Sequence, residues 1–182
     1  APTRHLVMEM KAEYGDLHPD LAQDIAKVAL IERHRPTGRV QVGLVHGFGF
    51  NKACAVATTV AHDSHQMIVV GTDEEQMAIA ANRLRVIGGG QVIVRDGEIL
   101  GEITLPFAGL MSINSAAHVA AEAASLLQGY KDCGCQLNNP NMQLSLLGLV
   151  VIPDLRISDL GLVDVNKFEF IPVIEPNNSF EV

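Results

Sequence analysis

The chain has 182 residues, with 13 Lys and Arg against 21 Asp and Glu, so its formal net charge is −8. That length fits one compact domain, or two small ones at most. A hydrophobic fraction of 48% is enough for a packed core and excludes a disordered chain. The acidic balance, with no Trp and no run of Lys and Arg, excludes a surface for binding a nucleic-acid backbone.

The sequence contains no segment that predicts insertion into a membrane. Its longest apolar stretch, Leu144 to Ile152, is less than half of the roughly 20 residues that a spanning helix needs. The first residues lack the apolar core of a signal peptide. Three cysteines, Cys54, Cys133 and Cys135, are an odd number, which favours reduced thiols. We therefore expect a cytoplasmic protein.

The first half of the chain is rich in β-branched and alternating segments. These predict strands over residues 3–12, 25–34, 53–61 and 66–71, and a further strand that opens the segment 39–50 before its Gly-rich turn. A helix is predicted over 73–87, where Thr72 and Glu75 have the spacing of a capping box and Gly88-Gly89-Gly90 supplies the stop. Its apolar face consists of Met77, Ala80, Ala81 and Leu84.

The second half opens with a predicted hairpin, in which Asp96-Gly97 forms the turn between strands over 91–94 and 99–105. An Ala-rich helix over 115–129 follows, then a loop at 138–141. Two short strands are expected near 156–158 and 166–171, joined by a turn at Gly161. The whole predicts a single α+β domain over 1–182, with a mostly antiparallel sheet and helices packed on one side.

The densest group of titratable residues is His62-Asp63-Ser64-His65, between two predicted strands. Histidine changes charge near neutral pH, so this turn is a candidate for proton transfer. The structural alternative is that one imidazole binds a backbone carbonyl while Asp63 caps the turn. Arg33-His34, before a Pro-Gly turn, faces either the same site or solvent.

Two other motifs do not predict a site. Gly43 to Gly49 contains a Gly-x-Gly but lacks the residues of a phosphate-binding or dinucleotide-binding loop. Cys133-Gly134-Cys135 has no second Cys or His pair at zinc-site spacing. We therefore expect no metal site in this chain.

Several segments, taken together, resemble the C-terminal region of adenine deaminases of the amidohydrolase superfamily. They run in register across residues 24–170 and comprise 27–38 (KVALIERHRPTG), 47–49, 58–71 (TTVAHDSHQMIVVG), 88–90, 105–111 (LPFAGLM) and 144–165. One departure is Gln66, where the family usually has Asn after His65.

The resemblance implies a hydrolase that converts adenine to hypoxanthine and ammonia on a (β/α)₈ barrel holding Mn²⁺ or Fe²⁺. A barrel of that kind needs about 250 residues, so the chain is too short to contain it. The resemblance implies that the barrel domain is this domain's partner, in a cytoplasmic homo-oligomer. It also makes His62, Asp63 and His65 candidate catalytic residues, with Ser64, Gln66, Arg33 and His34 as candidates for binding adenine.

Two alternatives remain open from the sequence. The domain is either part of an active site or a docking and oligomerisation module whose HDSH turn is structural. A third possibility is a domain that binds a purine or a metal by itself, which would be favoured by three or four convergent side chains among His34, His46, His62 and His65.

Overall fold

The computed structural model describes residues 3–10, 12–13 and 15–175. Two short strands, β1 (Ala12–Glu13) and β2 (Asp16–Leu17), form an antiparallel pair near the N-terminus. The main body is a six-stranded antiparallel sheet with the order β4-β3-β6-β5-β7-β8. Its strands are β3 (Ile25–Ile31), β4 (Val40–His46), β5 (Cys54–Thr58), β6 (Met67–Gly71), β7 (Gly90–Arg95) and β8 (Glu98–Thr104).

Helices cover both faces of this sheet. On one face, α1 (Glu74–Ile87) buries Met77, Ala80 and Leu84 against alternate strand residues such as Val69 and Val92. On the other face, α2 (Ala116–Asp132) and α3 (Pro140–Leu146) pack against the intervening residues, among them Val56, Ile68 and Ile93. The α+β class is confirmed and the described residues contain no barrel, but the expectation of helices on one side only is wrong. Strands buried on both faces need a cover on each.

A three-stranded antiparallel sheet follows α3 and lies beside β4. It consists of β9 (Leu155–Ser158), β10 (Gly161–Asp164) and β11 (Glu169–Ile171), in the order β11-β10-β9. Gly43 of β4 allows the close approach, since a Cβ there would lie 3.3 Å from Cδ2 of Leu162. The sequence predicted two strands here and missed β10, because Gly161 marked a turn whereas it starts the strand.

The ends of α1 show where local sequence rules succeed and fail. Gly88 has φ +84° and ends the helix, as predicted. The N-cap is Asp73, which accepts a hydrogen bond from Gln76 N at 2.9 Å, so the expected capping box on Thr72 is wrong. Thr72 Oγ1 instead donates to the carbonyl of Lys52 at 2.6 Å and accepts from Cys54 N at 3.1 Å.

Two further expectations fail at the edges of the domain. The strand expected over residues 3–12 is wrong, because among the described residues of that range only Ala12, in β1, is in a strand. Thr3 Oγ1 nevertheless donates to the carbonyl of Leu155 at 2.7 Å. The loop expected at 138–141 becomes α3, which starts at Pro140. Among the helices that the structure describes, none combines the length and the apolar character of a membrane span.

Candidate functional site

Four of the sequence motifs meet at one end of the six-stranded sheet, which we call the loop end. The segments there are 32–39 after β3, 59–66 between β5 and β6, 88–89 before β7, and 105–115 after β8. Antiparallel pairing forces this arrangement, because Ile31 lies opposite Met67, Thr58 opposite Gln91, and Gly90 opposite Thr104. Motifs far apart in sequence thus form one surface.

The connection over 59–66, which we call the site loop, is held by hydrogen bonds at both ends. Thr59 Oγ1 donates to the carbonyl of Gly109 at 2.7 Å and accepts from Gly90 N at 2.8 Å. His65 N donates to the carbonyl of Ala61 at 2.6 Å, which closes the turn. His65 takes a left-handed conformation, with φ +49°. The turn is therefore an ordered feature, and the side chains exposed on it are those of Asp63 and Ser64.

Arg33 links the site loop to the connection after β8. Its Nε donates to the carbonyl of His65 at 2.5 Å, and its Nη2 donates to the carbonyl of Ala108 at 2.8 Å. The guanidinium fits because Gly109 has no side chain, since a Cβ there would lie 3.0 Å from Nη2 of Arg33. One cation thus fixes two loops relative to each other.

His65 has a defined tautomer in its neutral form. Its Nδ1 accepts a hydrogen bond from Ala61 N at 3.3 Å, so the proton of the neutral imidazole is on Nε2. Burial lowers the pKa of His65, and the nearby His62 and Arg33 lower it further. Among the described residues no group bonds to Nε2. His65 therefore presents a neutral N–H donor at the loop end.

His62 lies beside His65, with ring centroids 5.5 Å apart and an interplanar angle of 74°. Its backbone N donates to the carbonyl of Ser145 at 3.1 Å, which ties the site loop to α3. The side chain of His62 is half-buried, and those of Asp63 and Ser64 are exposed. Three functional groups next to His65 are therefore open to a ligand.

Two of the weaker candidates hold the site loop in place. Gln66 is buried, and its Oε1 accepts from Arg33 N at 2.8 Å. The extra methylene of Gln compared with Asn thus still allows a hydrogen bond to the main chain. The exposed His34 places Nε2 at 2.6 Å from the carbonyl of Ser64. Gln66 and His34 are accordingly assigned to positioning the turn.

The structure does not bring all the predicted histidines together. His46 pairs with Ile25 at the opposite end of the sheet, six residues along β4 from the loop end, or about 20 Å at the usual rise per strand residue. In the part of the chain that is described, no three His, Cys, Asp or Glu side chains form a group suited to a metal ion. The idea that His46 completes a metal or purine site is wrong.

Sequence reasoning missed the residues that complete this site. The carbonyls of Ala108 and Gly109, the hydroxyl of Thr59 and the carbonyl of Ser145 all position the site loop. The LPFAGLM segment, which contains Ala108 and Gly109, was one of the motifs behind the resemblance. Its contact with Arg33 could not be predicted, because Arg33 and Ala108 are 75 residues apart in sequence.

A family model described as the adenine deaminase C-terminal domain matches residues 1–169 of this chain. The chain belongs to the adenine deaminase family. It is 58% identical over 175 residues to the adenine deaminase of Roseobacter denitrificans, covering 96% of this chain and 29% of that protein. It is 56% identical over 180 residues to the adenine deaminase of Ruegeria pomeroyi, with 97% and 29% covered. A third relative, adenine deaminase 3 of Rhizobium meliloti, is 53% identical over 174 residues.

The chain spans less than a third of the length of these relatives. The resemblance based on the motifs is confirmed by the family match. The motifs that carried it contribute the groups of the loop end: Arg33, the HDSH turn, and the Ala108 and Gly109 carbonyls.

Proposed function

We propose that this domain completes the active site of an adenine deaminase, an enzyme that hydrolyses adenine to hypoxanthine and ammonia. The observation that carries the proposal is the group formed by Arg33, His65 and Ala108, which fixes an open, histidine-bearing turn at one end of the sheet. A rigid backbone that presents half-buried imidazoles and an exposed carboxylate is suited to contacting a ligand held by another part of the enzyme.

In this proposal, His65 donates its Nε2 proton to an acceptor on adenine. The unprotonated ring nitrogens of adenine are acceptors, so a neutral imidazole donor can orient the base without adding a charge. His62 and Asp63, at the same turn, are the candidates for moving a proton toward the departing ammonia. Ser64 contributes a further exposed hydroxyl, and Arg33 keeps the turn in position.

The catalytic barrel is proposed to belong to the longer enzyme, outside these 182 residues. Mn²⁺ or Fe²⁺ bound there would supply the hydrolytic nucleophile. The residues described here do not form a site for such an ion, so the deaminase domain alone should not release ammonia from adenine. Turnover by the 182-residue chain with added Mn²⁺ or Fe²⁺ would contradict this placement of the chemistry.

The compartment and the assembly are also proposals. A cytoplasmic location is supported by Cys54, Cys133 and Cys135, which are all free thiols buried in the fold. A homo-oligomer is supported by large apolar side chains that remain exposed outside the loop end and the three-stranded sheet, among them Val86 of α1.

The test is the substitution His65→Ala in the full-length deaminase that contains this domain. We expect turnover to fall by at least about tenfold, because a positioned donor is lost, while the domain stays folded. His46→Ala is the control, since that exposed histidine lies at the opposite end of the sheet and should leave turnover unchanged. Unchanged turnover for His65→Ala would favour the alternative in which the HDSH turn is structural, an alternative that the contacts of Gln66 and His34 support.

A further inference from the structure

The loop end carries large apolar side chains beside its polar groups. Phe107, Met111 and Ile113, which we call the apolar rim, are 61%, 54% and 80% exposed. All three lie in the connection between β8 and α2, whose Ala108 carbonyl is bound by Arg33. Clustered apolar side chains that face solvent typically mark a surface that another protein surface covers.

The backbone beneath the rim is ordered, although the side chains are exposed. Phe107 N donates to the carbonyl of Met111 at 3.2 Å, and Met111 N donates to the carbonyl of Phe107 at 3.1 Å. The carbonyls of Ala108 and Gly109, between them, accept from Arg33 and Thr59. These bonds give the rim a fixed shape before any partner arrives, which reduces the entropic cost of docking.

The geometry also limits what can cover the rim. The guanidinium of Arg33 bonds the carbonyl of Ala108, next to Phe107, and the carbonyl of His65. Arg33 therefore fixes the rim and the site loop relative to each other, and both lie at the loop end of the sheet. The curated relatives have further chain outside the matched region, because this chain covers only 29% of their length.

We propose that the apolar rim is the docking surface for the part of the full-length deaminase chain that lies outside this domain. The inference rests on the proposed function, in which the loop end faces that part of the enzyme. Docking at the rim would hold His65 at a fixed distance from adenine and would keep water away from the junction.

A second apolar patch, on the three-stranded sheet, is the alternative docking surface and supplies the control substitution for the test. Val151, Leu160, Phe168 and Phe170 surround a cavity of about 310 Å³ on the three-stranded sheet. None of these side chains belongs to the loop end, and none is bonded to the site loop. Phe170 is 61% exposed, the same as Phe107, so the two phenylalanines are a matched pair.

The experiment compares Phe107→Ser with Phe170→Ser in the full-length deaminase, using amide hydrogen exchange measured by mass spectrometry. We expect Phe107→Ser to speed exchange by about tenfold or more in a surface segment outside this domain and in residues 105–113. Phe170→Ser should leave that outer segment as in the unsubstituted enzyme. Unchanged exchange for Phe107→Ser, or faster exchange of the same segment for Phe170→Ser, would overturn the proposal.

The same data report whether the domain remains folded, through the amides of the buried strands β5 and β6. If Phe107→Ser loosens those strands, Ile113→Ser decides instead, because Ile113 is 80% exposed and contributes little to the core.

Comparison with His65→Ala separates the two proposals. Loss of turnover for His65→Ala without altered exchange for Phe107→Ser rejects only the docking surface. The reverse pattern rejects only the catalytic role of His65.

Discussion

Arg33 binds the main-chain carbonyl of His65 through Nε at 2.5 Å, across 32 residues of sequence. The second contact of the guanidinium, with the carbonyl of Ala108, lies 75 residues away. Because the planar guanidinium presents several donors in fixed directions, it can satisfy two carbonyls from different loops at once. The position of His65 therefore depends on a side chain from another connection, the one that follows β3.

Arg33→Lys should loosen the site loop without removing the positive charge. A lysine ammonium cannot occupy both donor positions, so we expect the free energy of unfolding to fall by about 1–2 kcal/mol. Turnover of the full-length enzyme should fall as well. Urea denaturation of the domain and steady-state kinetics measure the two effects. Arg35→Lys, at a nearby exposed position, should change neither, and an equal effect there would show that the contacts of Arg33 are unimportant.

Two amide substitutions at His65 test which imidazole nitrogen acts. Glutamine places its Nε2 near the position of the imidazole Nε2, whereas asparagine reaches only as far as Nδ1. His65→Gln should therefore recover most of the turnover that His65→Ala loses, and His65→Asn should not. Asparagine tolerates the left-handed backbone at φ +49° better than most residues, so misfolding would not explain its loss. Equal activity of the two variants would argue against the donor at Nε2.

The stability of the domain should depend on pH through His65. Burial, His62 and Arg33 lower the pKa of His65 in the folded state, while Asp63 opposes them and His34 adds a smaller lowering. The unfolded chain, with a histidine pKa near 6.5, therefore binds a proton first as the pH falls, and folding becomes less favourable below that value. Above it both states are neutral and the effect vanishes.

Urea denaturation at about pH 7.5 and about pH 5.5 measures this dependence. The unsubstituted domain should lose more unfolding free energy between the two values than His65→Gln does. The two proteins differ only at residue 65, so a difference between their losses is caused by the substitution of His65. An identical loss in the two proteins would contradict the lowered pKa of His65.

Gly109→Ala tests the close approach of the two loops. Gly109 has φ +74°, and a Cβ there would lie 2.9 Å from Thr59 Oγ1 and 3.0 Å from Arg33 Nη2. Gly97, in the β7–β8 turn, has a similar φ of +78° but open space around it. Both alanine variants carry the left-handed backbone cost, so Gly109→Ala should be the more destabilising by about 1–2 kcal/mol. Denaturation midpoints compare them, and equal losses would mean that the packing against Arg33 is not tight.

Local patterns predicted most of the fold. The β7–β8 hairpin follows from Asp96-Gly97, whose positive φ values of +54° and +78° suit a two-residue turn. The end of α1 follows from Gly88. Thr72 failed as a cap because two neighbouring main-chain groups, of Lys52 and Cys54, compete for its hydroxyl. α3 was missed because Asn-rich sequence normally indicates a loop, and its position depends on packing beneath the site loop.

The sequence predicted which titratable residues belong to the candidate site, but not how they are arranged in space. The HDSH turn and Arg33-His34 stood out as titratable groups. Their contacts are long-range, and no spacing rule relates Arg33 to Ala108 or Thr59 to Gly109. The roles of Gln66 and His34 in holding the turn depend on which strands are neighbours. Sequence order alone does not contain that information.

The site loop joins β5 and β6, the two central strands of the sheet, and all ten residues of these strands are buried. Backbone amides in such strands exchange with solvent only when the whole domain unfolds. The loop is therefore the tip of a hairpin formed by two fully buried strands. Fraying of the edge strand β4 or β8 would leave both ends of the loop anchored in the sheet. The contacts of the loop with Gly109 and, through Arg33, with Ala108 depend on the connection after β8, so fraying of that strand would release the turn from these contacts before the sheet itself opens.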